Sequence, residues 1–263
     1  MREWTVMGAS VALFAALAAC QAREPQPPAV TAPPAPETKA PGAATVTFST
    51  ADGWDLAATY WPGTGTAPRP AAILLHMLPA DRHSYDELGP LLATAGGFDV
   101  VALDSRGHGE SLKHAGKTER YTSFDAAAYN ASVGDVAAAK TWLNQKGADV
   151  KRLVLVGASI GANFALISAA GDADVKGVVL LSPGLDYHGV KTEEAMKKYG
   201  ARPAYLIASG EDGDAAACIE RLRQLAPGAD FKMYEGAGHG TNMFRAEPDL
   251  WQLLVTWLAA RVK

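Results

Sequence analysis

The pentapeptide GASIG at positions 157–161 places a single hydroxyl, that of Ser159, between two glycines. It follows the apolar run RLVLV and leads directly into the alanine-rich segment ANFALI. Gly-x-Ser-x-Gly between a strand and a helix predicts a nucleophile elbow, a strained turn that exposes the serine Oγ at a helix N-terminus. The alternatives are a phosphate-binding loop, although the segment fits neither GxxxxGK[ST] nor GxGxxG, and a plain turn whose serine caps the helix. We predict that Ser159 is a nucleophile.

A serine becomes a strong nucleophile when an imidazole takes its proton and a carboxylate orients that imidazole. His239 stands in GAGHG, where the glycines suit a mobile loop that brings the ring over the serine. Asp212 lies in SGEDGD, and we predict it as the acid. Asp214 stays open as an alternative acid, although it also suits the N-cap of the following helix, and Asp186 is a third candidate.

The elements that must position these residues alternate along the chain. Apolar strands that alternate with amphipathic helices predict a parallel sheet covered on both faces, and the dipeptide Asp52-Gly53 predicts a hairpin at its start. Reactive groups of such sheets collect at the carboxyl ends of the strands. The predicted strands are 45–50, 54–62, 71–76, 98–105, 152–159, 175–183, 203–209 and 231–235, and the predicted helices are 86–95, about 125–146, 160–170, about 191–199, 217–225 and the C-terminal segment with its apolar stripe.

Four motifs, LLHMLPADRHSYDELGPLLA (74–93), VVALDSRGHGES (100–111), GASIGA and GAGHG, are similar to those of one known family. From about residue 45 to the C-terminus the chain resembles the α/β-hydrolase fold family, most closely its esterase, dienelactone-hydrolase-like and serine-aminopeptidase-like branches. The resemblance implies a mostly parallel sheet with helices on both faces and the chain order Ser, Asp, His for the reacting residues. It also implies that Asp104, Arg106 and His108 brace the site, with His108 as general base the alternative.

Two backbone N–H groups are predicted to stabilise an oxyanion. One belongs to Ile160, directly after the nucleophile, and the other to Met77, in the loop after the strand AAILLH. The family more often has Gly at the position of Met77, whose side chain could narrow the pocket or displace the N–H. In the acid loop the family's commonest spacing lands on Gly213, between the two aspartates, so the choice of acid stays open.

Residues 1–19 have the features of a signal peptide. Arg2 precedes an apolar run from Val6 to Ala19, which is too short to span a bilayer comfortably as a helix. The run ends in LAAC, which resembles the lipobox of bacterial lipoproteins and implies cleavage before Cys20 and lipidation of its thiol. An ordinary secretory signal is the alternative.

Residues 20–42 are then the cysteine whose lipidation the lipobox resemblance implies and a proline-rich tether, which is predicted because the segment after Cys20 cannot bury enough apolar surface to fold. Residues 43–263 are then the hydrolase domain. We expect a lipid-anchored protein of the bacterial cell envelope. The outer membrane or periplasmic side is favoured because Gln21 replaces the Asp that often retains lipoproteins at the inner membrane.

Composition limits the function classes further. The net charge of −4, with scattered Lys and Arg, leaves no electrostatic footprint for nucleic acid. There is no zinc-type His/Cys spacing, and two cysteines make no disulfide framework. The short stretch between Leu181 and Pro203 predicts little or no cap domain and an open cleft. Tyr187, His188, Tyr85 and Phe244 are candidates for the rim of this cleft, with core or ordinary surface positions as the alternatives.

We therefore predict a serine hydrolase that cleaves carboxylic esters of small molecules through an acyl-enzyme intermediate. No metal or organic cofactor is required for this chemistry. Two alternatives remain from the sequence: a serine peptidase or amidase that uses the same three residues, and a catalytically silent, surface-tethered binding module.

Overall fold

The computed structural model describes Met1 and residues 42–263. Residues 2–41 therefore lie outside the described residues, and with them Cys20, most of the predicted tether and all of the predicted signal peptide except Met1. No helix within the described part of the chain is both long enough and apolar enough to cross a membrane.

One large mixed sheet organises residues 42–263. The strands of the described residues are β1 (Ala44–Ser49), β2 (Trp54–Trp61), β3 (Pro70–Leu75), β4 (Asp99–Leu103), β5 (Lys113–His114), β6 (Lys117–Thr118), β7 (Asp149–Ala158), β8 (Val175–Leu181), β9 (Asp186–Tyr187), β10 (Val190–Lys191), β11 (Ala204–Ser209) and β12 (Asp230–Tyr234). The order in the large sheet is β12-β11-β8-β7-β3-β4-β2-β5-β6, with β1 paired to β2. The six strands from β12 to β4 run parallel, and β2 joins β4 antiparallel.

Helices cover both faces of this sheet, which confirms the predicted fold class. They are α1 (Leu88–Thr94), α2 (Ala126–Ala131), α3 (Val133–Gln145), α4 (Ile160–Gly171), α5 (Glu193–Tyr199), α6 (Gly213–Leu225), α7 (Met243–Ala246) and α8 (Asp249–Ala259). Successive strand residues alternate between two cores: Ile73 and Leu75 join the core under α3 to α6, whereas Leu74 joins the core under α1 and α8. Each such fully buried side chain stabilises the fold by about 1.5–3 kcal/mol.

The predicted single helix over 125–146 is wrong. Two helices, α2 and α3, meet at Ser132, which lies between them as a turn. Its N–H bonds to Tyr129 O at 3.1 Å, and its hydroxyl reaches back to Ala128 O at 3.4 Å. A serine that bonds the preceding turn in this way competes with the regular helical ladder, which explains the break.

The segment between β8 and β11 contains only the two-stranded hairpin of β9 and β10 and the short helix α5. It forms no separate cap domain, as the sequence predicts. The hairpin, like the small β5–β6 ladder, has strands of two residues each, too short to leave an apolar period in the sequence.

Candidate active site

Ser159 occupies the single residue between β7 and α4. Its backbone has φ +54° and ψ −123°, a conformation that costs a non-glycine residue about 1–3 kcal/mol and persists only where the surroundings enforce it. A Cβ on Gly157 would lie 2.1 Å from Gly161 O, and one on Gly161 would lie 2.4 Å from Leu75 O. The two glycines are therefore required by close backbone contact, as the elbow pattern predicts.

The turn places the serine where negative charge is favoured. Ser159 N–H bonds to Leu181 O on the neighbouring strand at 2.8 Å, while Ser159 O accepts the N–H groups of Ala162 and Asn163. The first N–H groups of a helix have no partner within it, and the helix dipole adds partial positive charge there. The N–H of Ile160, first residue of α4, belongs to this set.

His239 and Asp212 meet at the same edge of the sheet. Asp212 follows β11 and precedes α6, and its Oδ2 lies 2.7 Å from His239 Nδ1. This contact assigns the proton to Nδ1 and leaves Nε2 as the nitrogen that can accept a proton. The hydrogen bonds of residues 42–263 include none between His239 and Ser159 Oγ; such contacts often tighten only when substrate binds.

The other two candidate acids lie elsewhere. Asp214 is exposed in the first turn of α6, and its predicted role as the helix N-cap is wrong because the helix begins one residue earlier, at Gly213. Asp186 is exposed in the β9–β10 hairpin and accepts the N–H of Gly189 at 2.7 Å. Of the three carboxylates, the one that hydrogen-bonds His239 is Asp212.

The loop that carries His239 is held by side chains from neighbouring strands. The Glu211 carboxylate accepts the N–H groups of Gly236 at 2.8 Å and Gly238 at 2.7 Å. The hydrogen bond from the Ser209 hydroxyl lowers the pKa of Glu211 most, and these backbone N–H groups lower it further, to about 2. The glycines that suggest a mobile loop in the sequence instead supply positive φ angles and N–H groups to a bonded one.

Two serines complete this anchoring. The fully buried Ser209 accepts the N–H of Ala237 at 2.9 Å, and Ser182 accepts that of Gly240 at 2.9 Å. A Cβ on Gly240 would lie 3.5 Å from the Cβ of Ala158, so the residue after His239 lies beside the residue before Ser159. Glu211 was not predicted as a site residue, and its one available signal in the sequence is its position next to Asp212.

The predicted oxyanion loop follows β3. His76 is fully buried, its Nε2 accepts the N–H of Ser105 at 3.1 Å, and its Nδ1 therefore donates to Met77 O at 2.9 Å. Burial lowers the pKa of His76, so the ring is neutral at pH 7. A Cβ on Gly240 would lie 2.7 Å from Met77 Sδ, which places the methionine side chain against the loop that carries His239.

Charged residues after β4 form two buried ion-pair networks. Asp104 binds Arg82, which also contacts Glu110 at 2.6 Å. Arg106 binds Asp135 at 2.8 Å and, in the β1–β2 turn, Asp52 at 2.6 Å.

His108 differs from His239 in its environment. Burial lowers its pKa to about 4, its Nδ1 lies 2.9 Å from Arg106 O, and its ring stacks on Tyr121 at 4.0 Å. A ring with a pKa this far below 7 binds a proton weakly and is therefore a poor general base at pH 7.

Of the predicted rim residues, Tyr187 lies at the site. Its ring centroid is 6.5 Å from that of His239, and its hydroxyl lies near Ser159. His188 is exposed beside it and stacks on Tyr129. Of the roles left open for Tyr85 and Phe244, the structure shows the core one, because the two side chains are buried against each other. Tyr85 can be buried because its hydroxyl bonds to Leu75 O at 2.9 Å.

Other possible binding features lie away from these residues or are not seen. A groove of about 560 Å³ runs along α3 and is lined by Phe48, Arg106 and Trp142 among others, none of them Ser159 or His239. In the part of the chain that the structure describes, no group of three or more His, Cys, Asp or Glu residues could hold a metal ion.

Comparison with known proteins gives one family. The family profile described as "alpha/beta hydrolase fold" matches residues 70–207. No curated protein matches the chain significantly in sequence.

Solved structures show the same fold at low sequence identity. An esterase of Pyrococcus furiosus is similar with a TM-score of 0.65 and 17% identity, over 84% of this chain and 91% of that chain. A 2,6-dihydroxy-pseudo-oxynicotine hydrolase is similar with a TM-score of 0.68 and 16% identity, over 84% and 68% of the two chains. A Klebsiella pneumoniae protein proposed to be a dienelactone hydrolase has a TM-score of 0.65 and 17% identity, over 82% and 98%.

Proposed function

The chain belongs to the α/β-hydrolase fold family, and we propose that it is a serine hydrolase that cleaves carboxylic esters through Ser159, His239 and Asp212. The observation that carries the proposal is the strained Ser159 backbone at the end of β7, at the same sheet edge as a hydrogen-bonded His239–Asp212 pair. A positive φ at a non-glycine residue is energetically unfavourable, so its presence at a hydroxyl between two required glycines favours a reactive role over a plain turn.

The proposed reaction has two halves. His239 Nε2 takes the proton of Ser159 Oγ as the oxygen attacks the ester carbonyl carbon, and the N–H groups of Ile160 and Met77 stabilise the oxyanion. Collapse of this intermediate breaks the bond to the alcohol, which leaves with the proton from His239. Water then attacks the acyl-enzyme with His239 as base, and the carboxylic acid and free Ser159 are formed. Asp212 keeps the proton on Nδ1 throughout.

Replacement of the nucleophile tests this function. We expect Ser159→Ala to lower kcat for p-nitrophenyl acetate by several orders of magnitude and to abolish labelling by a fluorophosphonate probe. A variant that hydrolyses the ester as fast as the wild-type protein would remove Ser159 from the mechanism. A protein that labels but prefers aminoacyl amides to short esters would instead be a peptidase or amidase, and one that neither labels nor turns over would be a binding module.

We also propose that the domain is anchored in the bacterial cell envelope by a lipid on Cys20. The motif LAAC and the proline-rich residues that follow it support this proposal. The expected outcome is that the full chain, expressed in a bacterium, incorporates radiolabelled fatty acid and partitions into the detergent phase of Triton X-114. Cys20→Ser should lose both properties, whereas Cys218→Ser, at a buried cysteine of the domain, should keep them. Equal behaviour of the two variants would contradict lipidation at Cys20.

A further inference from the structure

The β9–β10 hairpin is fastened to the helix that begins at Ser159. Asn163 of α4 is fully buried, donates from Nδ2 to Val190 O at 2.7 Å and accepts the N–H of Gly184 at 3.1 Å. Both ends of the segment that carries Tyr187 are therefore bonded to one side chain, and that side chain lies one helical turn after the nucleophile. The hairpin is positioned by the same element that positions Ser159.

Tyr187 itself is held in one orientation. A Cβ on Gly184 would lie 2.5 Å from the Tyr187 ring, so the ring packs directly on the glycine backbone. Its hydroxyl lies 3.4 Å from Ser182 O, and its ring meets that of His239 edge to face at 77°. Ser182 thereby contacts both Tyr187 and, through Gly240, the loop that carries His239.

The position of this ring limits the space around the nucleophile. Ser159 is only 8% exposed, the Tyr187 hydroxyl lies near it, and Met77 lies in the loop on the other neighbouring strand. An ester must place its carbonyl carbon against Ser159 Oγ, so the groups attached to that carbon have to fit beside a ring that is packed and bonded in place.

We propose that Tyr187 is the residue that sets substrate size, and that its ring restricts the site to esters with small groups next to the carbonyl. The inference rests on the proposed ester hydrolysis at Ser159 and names its substrate class. Tyr187 takes no part in the chemical step. Its ring contacts the substrate and excludes bulky substrates. Burial raises the pKa of Tyr187 to about 12, so the phenol stays protonated and uncharged at pH 5–9.

Three substitutions of different size test the proposal: Tyr187→Ala, Tyr187→Phe and Tyr187→Trp. The measurement is kcat/KM on p-nitrophenyl acetate, butyrate and octanoate, and on acetates of progressively larger alcohols. We expect Tyr187→Ala to raise the ratio of the largest to the smallest substrate by about tenfold or more in at least one series, because a hydrophobic pocket discriminates by about that factor per methylene. Tyr187→Trp should lower the ratio, and Tyr187→Phe, which keeps the ring, should leave it unchanged.

Labelling rates separate failure of this inference from failure of the proposed function. Ser159 is labelled with a methyl and with a long-chain alkyl fluorophosphonate, and the two rates are compared between wild type and Tyr187→Ala. If no ester is hydrolysed but the ratio of long to short labelling rises tenfold in the variant, the size restriction stands and ester hydrolysis does not. If the variants fold, as judged by an unchanged Tm, and every ratio stays within twofold of wild type, Tyr187 does not set substrate size.

Discussion

The turn at Ser159 and the loop at His239 lie side by side but are built by different forces. The turn is enforced by backbone contacts within a few residues of the serine and with the adjacent strand, where Gly157 and Gly161 leave no room for a side chain. The loop is held by hydrogen bonds from three side chains on two other strand ends, those of Glu211, Ser209 and Ser182. A steric requirement of this kind leaves a fixed motif in the sequence, whereas a set of long-range hydrogen bonds leaves none.

The largest effect should come from Asp212, the acid that we propose orients the imidazole of His239. Asp212→Asn keeps the size of the side chain but lets the amide stabilise the wrong tautomer of His239, so we expect kcat for p-nitrophenyl acetate to fall by about 10³–10⁴-fold. Asp214→Asn, a matched change two residues away at an exposed position, should stay within twofold. Equal losses in both variants would leave the acid unassigned, and a larger loss in Asp214→Asn would reverse the assignment.

The next largest effect tests the close backbone contacts that enforce the turn at Ser159. Gly161→Ala would bring a methyl group 2.4 Å from Leu75 O and 2.5 Å from His76 O, and these backbone atoms cannot rotate away. We expect a loss of about 3 kcal/mol in the free energy of unfolding, measured in urea. Gly171→Ala, in the same helix but with no atom within 4 Å of the new methyl group, should be neutral or slightly stabilising. Because Ala has a higher helix propensity than Gly, a similar loss in both variants would mean that the close contact at Gly161 does not explain the result.

The smallest effect concerns the hydrogen bonds that hold the loop carrying His239. Glu211→Gln removes the charge from the group that accepts Gly236 and Gly238, so His239 should be less well positioned and kcat should fall about tenfold with KM unchanged. The pKa of Glu211 is lowered to about 2, so its bonds are intact above the ordinary glutamate pKa and weaken only as the pH falls towards 2. Amide hydrogen exchange at the two glycines should therefore be equally protected, after correction for intrinsic rates, at pH 5 and pH 8 in the wild-type protein and less protected in Glu211→Gln. Unchanged protection in the variant would show that the loop is held without Glu211.

Much of the fold was predictable from sequence because apolar periodicity is local. Predicted segments match every strand of the large sheet except β5 and β6. They also match the described helices, apart from α2, α3 and the short α7. The break at Ser132 was not predictable because a serine within an apolar helical pattern is compatible with an unbroken helix.

The site was predictable only in part, because only some of its features depend on local sequence. Ser159, its glycines and the neighbouring strand ends follow from a local motif. Two other features depend on β11 and β12 being neighbours in the sheet, which no spacing in the sequence reveals. They are the hydrogen bond between Asp212 and His239 and the hydrogen bonds from Gly236 and Gly238 to Glu211. The sequence left the position of Tyr85 open between rim, core and surface, because its full burial depends on the strand carbonyl that accepts its hydroxyl.

The positive φ of Ser159 has a consequence for how this protein can change over generations. Glycine adopts such backbone angles freely, so Ser159→Gly would relax the turn and give a molecule at least as resistant to heat as its parent. A lineage selected for thermal robustness alone would therefore gain stability from this glycine and would lose the Ser159 hydroxyl.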